Sequence, residues 1–304
     1  MSEAASRTAR GGALRALIAE RPGAALAALL FGLIAIAALL APLIAPTNPF
    51  DLASLDVLDA ELPPRWVQGS DPRFLLGTDA QGRDLLSAIL YGTRISLIVG
   101  VLAVAIQAAI GVSLGLLAGY FGGRLDSVVS RAADIQLSLS TLMMAIIALA
   151  LFRAGLGGES LSRYAVPLLV VVIGFAEWPY FARTARAATQ VEAAKDYVRA
   201  ARALGASDAG IVGRHILPNI LSPLIVVATT QIAGAIMAEA ALSFLGLGQQ
   251  PPAPSWGSML NSAQRFLVNE PWMAVWPGLA IFLTVLSFNL VGDGLRDALD
   301  PREK

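Results

Sequence analysis

Ile95-Ser-Leu-Ile-Val-Gly-Val-Leu-Ala-Val-Ala-Ile-Gln-Ala-Ala-Ile-Gly-Val-Ser-Leu-Gly-Leu-Leu-Ala-Gly-Tyr-Phe-Gly-Gly123 carries no charged side chain from end to end, and Arg94 and Arg124 bracket it. A helix needs about 20 apolar residues to cross a hydrocarbon core roughly 30 Å thick. Charge is costly in that core, so uncharged windows mark spans. Working outward, the same test finds windows at 24–45, 135–152, 215–238 and 271–292. A weaker one at 164–182 contains Glu177 and Pro179. The expected fold is therefore all-α and integral to a membrane, with six transmembrane helices.

Composition agrees. Of 304 residues, 56% are hydrophobic and 14% charged, with a mean hydropathy of +0.66. A soluble domain carries about 25% charged residues. Lys+Arg and Asp+Glu balance at 22 each, so no net charge points to nucleic acid. The chain has no cysteine, which excludes disulfides, thiolate metal sites and cysteine nucleophiles. Its one histidine, His215, excludes a multi-histidine metal site.

Orientation follows the Lys/Arg asymmetry of the connecting segments. With the N-terminus inside, the inner segments 1–23, 124–134, 183–214 and 293–304 hold 15 basic residues, and the outer segments 46–94, 153–163 and 239–270 hold seven. Both termini are expected inside. The organisation is then a cytoplasmic tail (1–23), a first transmembrane helix (24–45), an outer loop (46–94), a core (95–293) containing the inner loop 183–214, and a C-terminal tail (294–304). The basic start Arg7, Arg10, Arg15 and Arg21 resembles a signal peptide, but the apolar stretch exceeds an ordinary h-region and five more windows follow, favouring an uncleaved anchor.

Several residues carry specific expectations. Gly111, Gly115 and Gly119 recur every four residues on one helix face, where a neighbouring backbone can approach closely. Glu177 is the acidic residue inside a window, a path or interface candidate. Arg183, six residues on, places it within two turns of the inner interface. Glu239 is expected at the outer end of the fifth helix with the same two roles open. Leu76-Gly-Thr-Asp-Ala-Gln-Gly-Arg-Asp84 lacks EF-hand spacing and reads as a capped helix entry with an Arg83–Asp pair. In the inner loop, Tyr197, Ala200, Ala201 and Leu204 form a small apolar stripe, Gly205 supplies a C-terminal turn, and Ser207-Asp208 can start a second short helix.

That loop resembles the membrane subunits of bacterial binding-protein-dependent ABC importers. Their signature is Glu-Ala-Ala, three residues, Gly, nine residues, Ile, one residue, Leu-Pro. Arg199-Ala200-Ala201, Gly205 and His215-Ile216-Leu217-Pro218 stand in that register, with Arg199 for Glu and His215 for Ile. Glu192-Ala193-Ala194 has Val198 at the glycine position and is out of register. Leu76 to Asp84, Tyr91-Gly-Thr-Arg-Ile-Ser-Leu97, Gly119-Tyr-Phe-Gly-Gly-Arg-Leu-Asp126, Ala241-Leu-Ser-Phe-Leu-Gly-Leu-Gly248, Pro254-Ser-Trp-Gly257 and Asn289 to Pro301 narrow the resemblance to the C-type subunit of dipeptide/oligopeptide permeases. Ser140 stands where similar proteins often carry Pro.

The resemblance implies an ABC type I importer transmembrane domain, N-in and C-in, in the bacterial inner membrane. It implies a homologous second permease, two cytosolic ATPase subunits and a periplasmic or extracellular substrate-binding protein. Arg199, Ala200, Ala201, Gly205, His215, Leu217 and Pro218 would form the loop that couples to an ATPase, and 46–94 would face the binding protein or partner permease. ATP and Mg would be bound by the partners, leaving no cofactor in this chain. Indeed Lys195 and Lys304 follow Ala194 and Glu303, so no Walker A loop is present, nor a Gly-x-Ser-x-Gly elbow nor His-Glu-x-x-His. A self-sufficient secondary transporter is the alternative; repeated halves and several intramembrane ionisable sites would mark one.

Overall fold

The computed structural model describes residues 22–51, 55–156, 158–249 and 252–299. The basic start of the chain (1–21) and the last residues of the C-terminal tail (300–304) lie outside them, as do the side chains of Arg153 and Arg163. The helices are α1 Pro22–Ile44, α2 Leu85–Phe121, α3 Gly123–Ser138, α4 Thr141–Leu156, α5 Gly158–Ala176, α6 Trp178–Ala193, α7 Asp196–Ala203, α8 Leu221–Phe244, α9 Trp256–Ala263 and α10 Trp272–Leu299. Four of them, α1, α2, α8 and α10, are long and apolar enough to cross a membrane. The pairs α3–α4 and α5–α6, bent by 87° and 41°, bring the number to six if each pair is one span.

The third and fourth windows were expected as single helices, and both are broken. The 135–152 window straddles the first bend, where Leu139 is extended (φ −94, ψ 139). No proline is needed for this: Ser140 occupies the break. In the fourth window, Pro179 stands near the start of α6 and has no N–H to continue the ladder from α5. The carbonyls freed at the end of α5 must find other donors. Gln136 supplies them, its Nε2 donating to Phe175 O (3.3 Å) and Ala176 O (3.1 Å). The two breaks therefore support each other. The expected 153–163 connection is helical over 153–156 and 158–163.

At 37 residues, α2 is about 55 Å long. It starts ten residues before its uncharged window, inside the segment expected to be loop. Asp84 caps it, accepting from Ser87 N (2.9 Å) and Ser87 Oγ (2.5 Å). Burial pushes the Asp84 carboxyl above its ordinary range, and the Ser87 bonds work against that. Asp84→Ala should therefore lower the thermal midpoint of the solubilised subunit, at a cost of about 1–2 kcal/mol. Asp84→Asn, which keeps an acceptor, should cost less. The expected Arg83–Asp pair is present: Arg83 Nε donates to Asp79 (2.7 Å) while Arg83 Nη1 reaches Pro252 O (3.2 Å), clasping the loop to the segment before α9. Gly77 turns this loop at φ +85, with Leu62 O only 2.4 Å from where a Cβ would sit.

α6 lies along the second half of α2. A Cβ at Gly111 would sit 2.4 Å from Trp178 O, at Gly115 2.5 Å from Ala182 O, and at Gly119 2.7 Å from Arg186 O. Each glycine step of four meets a step of four on α6, so the two backbones come together with only the Cβ atoms of Phe181, Ala185 and Thr189 close in the seam. Gly122 (φ +63) then ends α2. α3 packs against both α2 and α6 through Val129 and Ala133, which share a cluster with Ala118, Trp178 and Ala182, and Arg186 is ion-paired to Asp126 and Arg183 to Asp134 (2.5 Å).

At the loop end of the bundle, Trp256 is buried and donates to Ile89 O (3.3 Å). Gly257 lets α9 press on α8, with Ala240 O 2.3 Å from a would-be Cβ. α8 ends as Leu242–Leu247 close a Schellman turn around Gly246: Leu247 N donates to Leu242 O (2.9 Å) and Gly246 N to Ser243 O (3.0 Å).

Candidate functional site

Residues 194–220 occupy the end of the bundle opposite the 46–84 loop. α7 spans only eight residues, and its register is fixed by one buried side chain, Val198. The run after Ser207 is helical but irregular: Asp208–Gly210, then a π-helix Ile211–Ile216, then Leu217–Asn219. Ser207 Oγ caps it, accepting from Gly210 N (3.2 Å). Pro218 has no N–H to offer an α-helical partner at this point. Ile211, Ile216 and Ile220 are buried and pin the run to the core.

What these anchors leave outside is the other face of α7. Arg199, Ala200 and Gly205 are exposed and Ala201 half-buried. Leu204 is 88% exposed at the apex. Gly205 adopts φ +84, closing a second Schellman turn: its N–H donates to Arg202 O (3.0 Å) and Ala206 N to Ala201 O (3.1 Å). The expected stripe of Tyr197, Ala200, Ala201 and Leu204 is split: Tyr197 and Ala201 are half-buried and pack against the core with Val198, whereas Ala200 and Leu204 are exposed. Arg199 pairs with Asp196 one turn back on the exposed side.

His215 and Pro218 are exposed and Leu217 half-buried. Asn219 Nδ2 donates to His215 O (2.6 Å) and reaches Tyr197 OH (3.4 Å), tying α7 to the irregular run. Tyr197 OH in turn donates to Glu192 (2.8 Å), which also accepts from Lys195 (2.5 Å). The out-of-register Glu192 therefore staples α6 to α7. A further link went unnoticed in the sequence: Tyr120, at the end of α2, donates to Asp208 (2.5 Å) and accepts from Arg202 (2.8 Å).

Glu177 sits at the break between α5 and α6, half-buried. Gln231 Nε2 on α8 donates to its Oε2 (3.2 Å) and to Gln107 Oε1 on α2 (3.2 Å). Arg183 pairs with Asp134 instead of Glu177. Glu177 stands level with the middle of the α2 window, beside Gln107 and Gly111, rather than near the interface. Glu239 is enclosed within the bundle. It lies within α8, is 0% exposed, and accepts from Ser96 Oγ (2.8 Å) and Ser243 Oγ (2.6 Å). A carboxyl fully enclosed by its own chain braces α8 against α2. Among the described residues, no cluster of acidic or histidine side chains could hold a metal ion.

A helical bundle with broken membrane spans and a tethered, outward-facing helix at one end has the build of a transport subunit. Residues 111–304 match the family described as the binding-protein-dependent transport system inner membrane component, and the chain belongs to it. It is 42% identical to the dipeptide transport system permease protein DppC of Haemophilus influenzae, over 94% of this chain and 92% of that one. It is 43% identical to the di/tripeptide transport system permease protein DppC of Pseudomonas aeruginosa, over 92% and 88%. With the glutathione transport system permease protein GsiD of Pectobacterium atrosepticum it shares 44% identity over 79% and 76%. Among solved structures, inward-facing forms of the MetNI methionine ABC transporter superpose with TM-scores of 0.58 and 0.55 at 19% and 22% identity, covering 71% of this chain and 98% of theirs. The fold is that of a type I ABC importer permease.

The chain is thus a membrane-spanning permease subunit of an ABC importer in the bacterial inner membrane, not itself catalytic, and not a secondary transporter. Membership in this family implies a substrate-binding protein, ATPase subunits and a second permease as partners.

Proposed function

We propose that this subunit imports small peptides, and that α7 with the 208–219 run is the element through which ATPase subunits drive it. The observation that carries the second part is the arrangement of α7: one face anchored by Val198, and an apex of Ala200, Leu204 and Gly205 left bare. Small residues on a rigid, capped helix suit insertion into a groove of a partner. On this reading both termini and the 194–220 end are cytoplasmic, as the basic residues of 183–214 favour. The second permease is a homologue of this chain. The 46–84 loop meets the binding protein or the partner permease, and ATP and Mg²⁺ are bound by the ATPases.

Peptide cargo is supported by the relatives, which are named for dipeptide, di/tripeptide and glutathione transport. The test is reconstitution of the full complex, with its co-encoded partners, in proteoliposomes. Uptake of L-alanyl-L-alanine or glutathione should require ATP, the binding protein and both permeases. Uptake by this subunit alone under an ion gradient would overturn the proposal.

A further inference from the structure

Glu177 has a surrounding that neither packing nor capping explains. Its donors are neutral: the Gln231 amide at 3.2 Å and the Thr141 hydroxyl. Among the described residues no Lys, Arg or His comes within ion-pair distance of it. Gln231 is held in place by its second bond, to Gln107, whose own amide reaches Ile173 O at 3.5 Å. The amide network is therefore occupied in presenting the carboxylate rather than in neutralising it.

The space beside that carboxylate is open. A Cβ built on Gly234 meets only Glu177 Oε2, at 4.0 Å. Thr230 and Met237, about one turn to either side on α8, are exposed along the same face. A half-exposed carboxylate level with the middle of a span cannot face acyl chains without a cost of several kcal/mol. This face of α8 must then border water or a polar partner.

We infer that Glu177, Gln231 and Gly234 form a cation-accepting subsite on the translocation path, suited to a primary ammonium such as the free amino end of a peptide. The inference rests on the permease reading above and adds the position and chemistry of one contact. Gly234 keeps the approach open, Gln231 fixes the carboxylate, and Glu177 supplies the charge. The competing occupant of this face is a basic side chain of the second permease, which would close it to solvent.

The chain has no cysteine, so a single thiol can report on the site. G234C puts its Cβ 4.0 Å from Oε2, with no other atom within that distance, and displaces nothing. In the assembled complex in proteoliposomes, this thiol is exposed to a trimethylammonium or a sulfonate methanethiosulfonate, and modification of this chain is followed by intact mass. The exposed position V268C, in the connection before α10, serves as reference. The cationic reagent should be favoured at G234C by about tenfold relative to V268C, the size expected for one carboxylate in a partly screened site. Adding E177Q should bring that preference back to the reference. A G234C thiol that stays unmodified in the complex overturns the inference, because the face is then covered by the partner. An equal preference with and without Glu177 overturns it as well. Failure of the chain to co-purify with any ATPase is a separate result, and it removes the permease assembly on which the subsite depends.

Discussion

Replacing Gly115 by leucine should nearly abolish recovery of the folded subunit. The Cβ alone would sit 2.5 Å from Ala182 O, 2.7 Å from Ala185 Cβ and 3.0 Å from Arg186 N. Two of these three are backbone atoms of α6, which cannot swing aside as a side chain can. The remaining side-chain atoms would have to enter a seam where α2 and α6 already touch. Overpacking in a well-filled core costs about 1–3 kcal/mol when side chains can adjust, and more when backbone must move. Water drives none of this association within the membrane, so close packing is what holds such helices together. The separation forced at Gly115 would spread to Gly111 and Gly119, and with them to the Arg186–Asp126 pair. The expected readout is loss of the monodisperse peak in size-exclusion chromatography and a thermal midpoint too low to measure. Gly32→Leu on α1, where an added Cβ meets nothing within 4 Å, should leave both unchanged. Similar recovery of the two variants would show that the α2–α6 seam tolerates separation.

Gly205→Pro should have an equally large effect of a different kind. Nothing lies within 4 Å of an added Cβ at Gly205, so the substitution disturbs no packing. It removes the N–H that bonds Arg202 O and forces φ from +84 toward about −65. The Schellman turn then cannot close, and Leu204 and Ala206 leave their places at the apex. Under the proposed function, the complex should assemble and hydrolyse ATP while uptake falls about tenfold or more, a loss of at least about 1.4 kcal/mol in coupling. Gly205→Asn, which tolerates the left-handed conformation, should retain most transport. The measurement is the ratio of solute moved to ATP hydrolysed in proteoliposomes. A proline variant with an unchanged ratio would remove α7 from the coupling step.

Much of this was legible in the chain itself. The windows at 24–45 and 271–292 match α1 and most of α10 because uncharged length is a one-dimensional property, set by the thickness of hydrocarbon. The same reasoning failed at the first bend, since Leu139 interrupts a helix without interrupting apolarity; at the second, Glu177 and Pro179 weaken the window without revealing that the helix breaks there. The uncharged window marks only where the span begins, at Ile95; the helix itself starts at Leu85 behind the Asp84 cap, as the capped entry read at Leu76–Asp84 implies, and Tyr91 there stands edge-on to Phe50. Gly205 and Ser207 were readable because turn and cap chemistry is local. Val198 was not, since a buried anchor in an eight-residue helix differs from its neighbours only by what it touches.

For the site, the same division holds. The spacing of Gly111, Gly115 and Gly119 selects a helix face, but only the fold supplies α6 as the surface that meets it. Glu177 and Glu239 look alike in sequence, each a carboxylate in an apolar stretch. Tertiary structure separates them: α2 and α8 close over Glu239 with serine hydroxyls, whereas Glu177 is left at a break with open space beside it. Sequence determines where charge is absent and where the backbone can turn, because those depend on neighbours along the chain. Which charge is enclosed and which helix face is left bare depend on contacts between residues far apart, such as Ser96 with Glu239 and Gln107 with Gln231, and these exist only once the bundle has assembled.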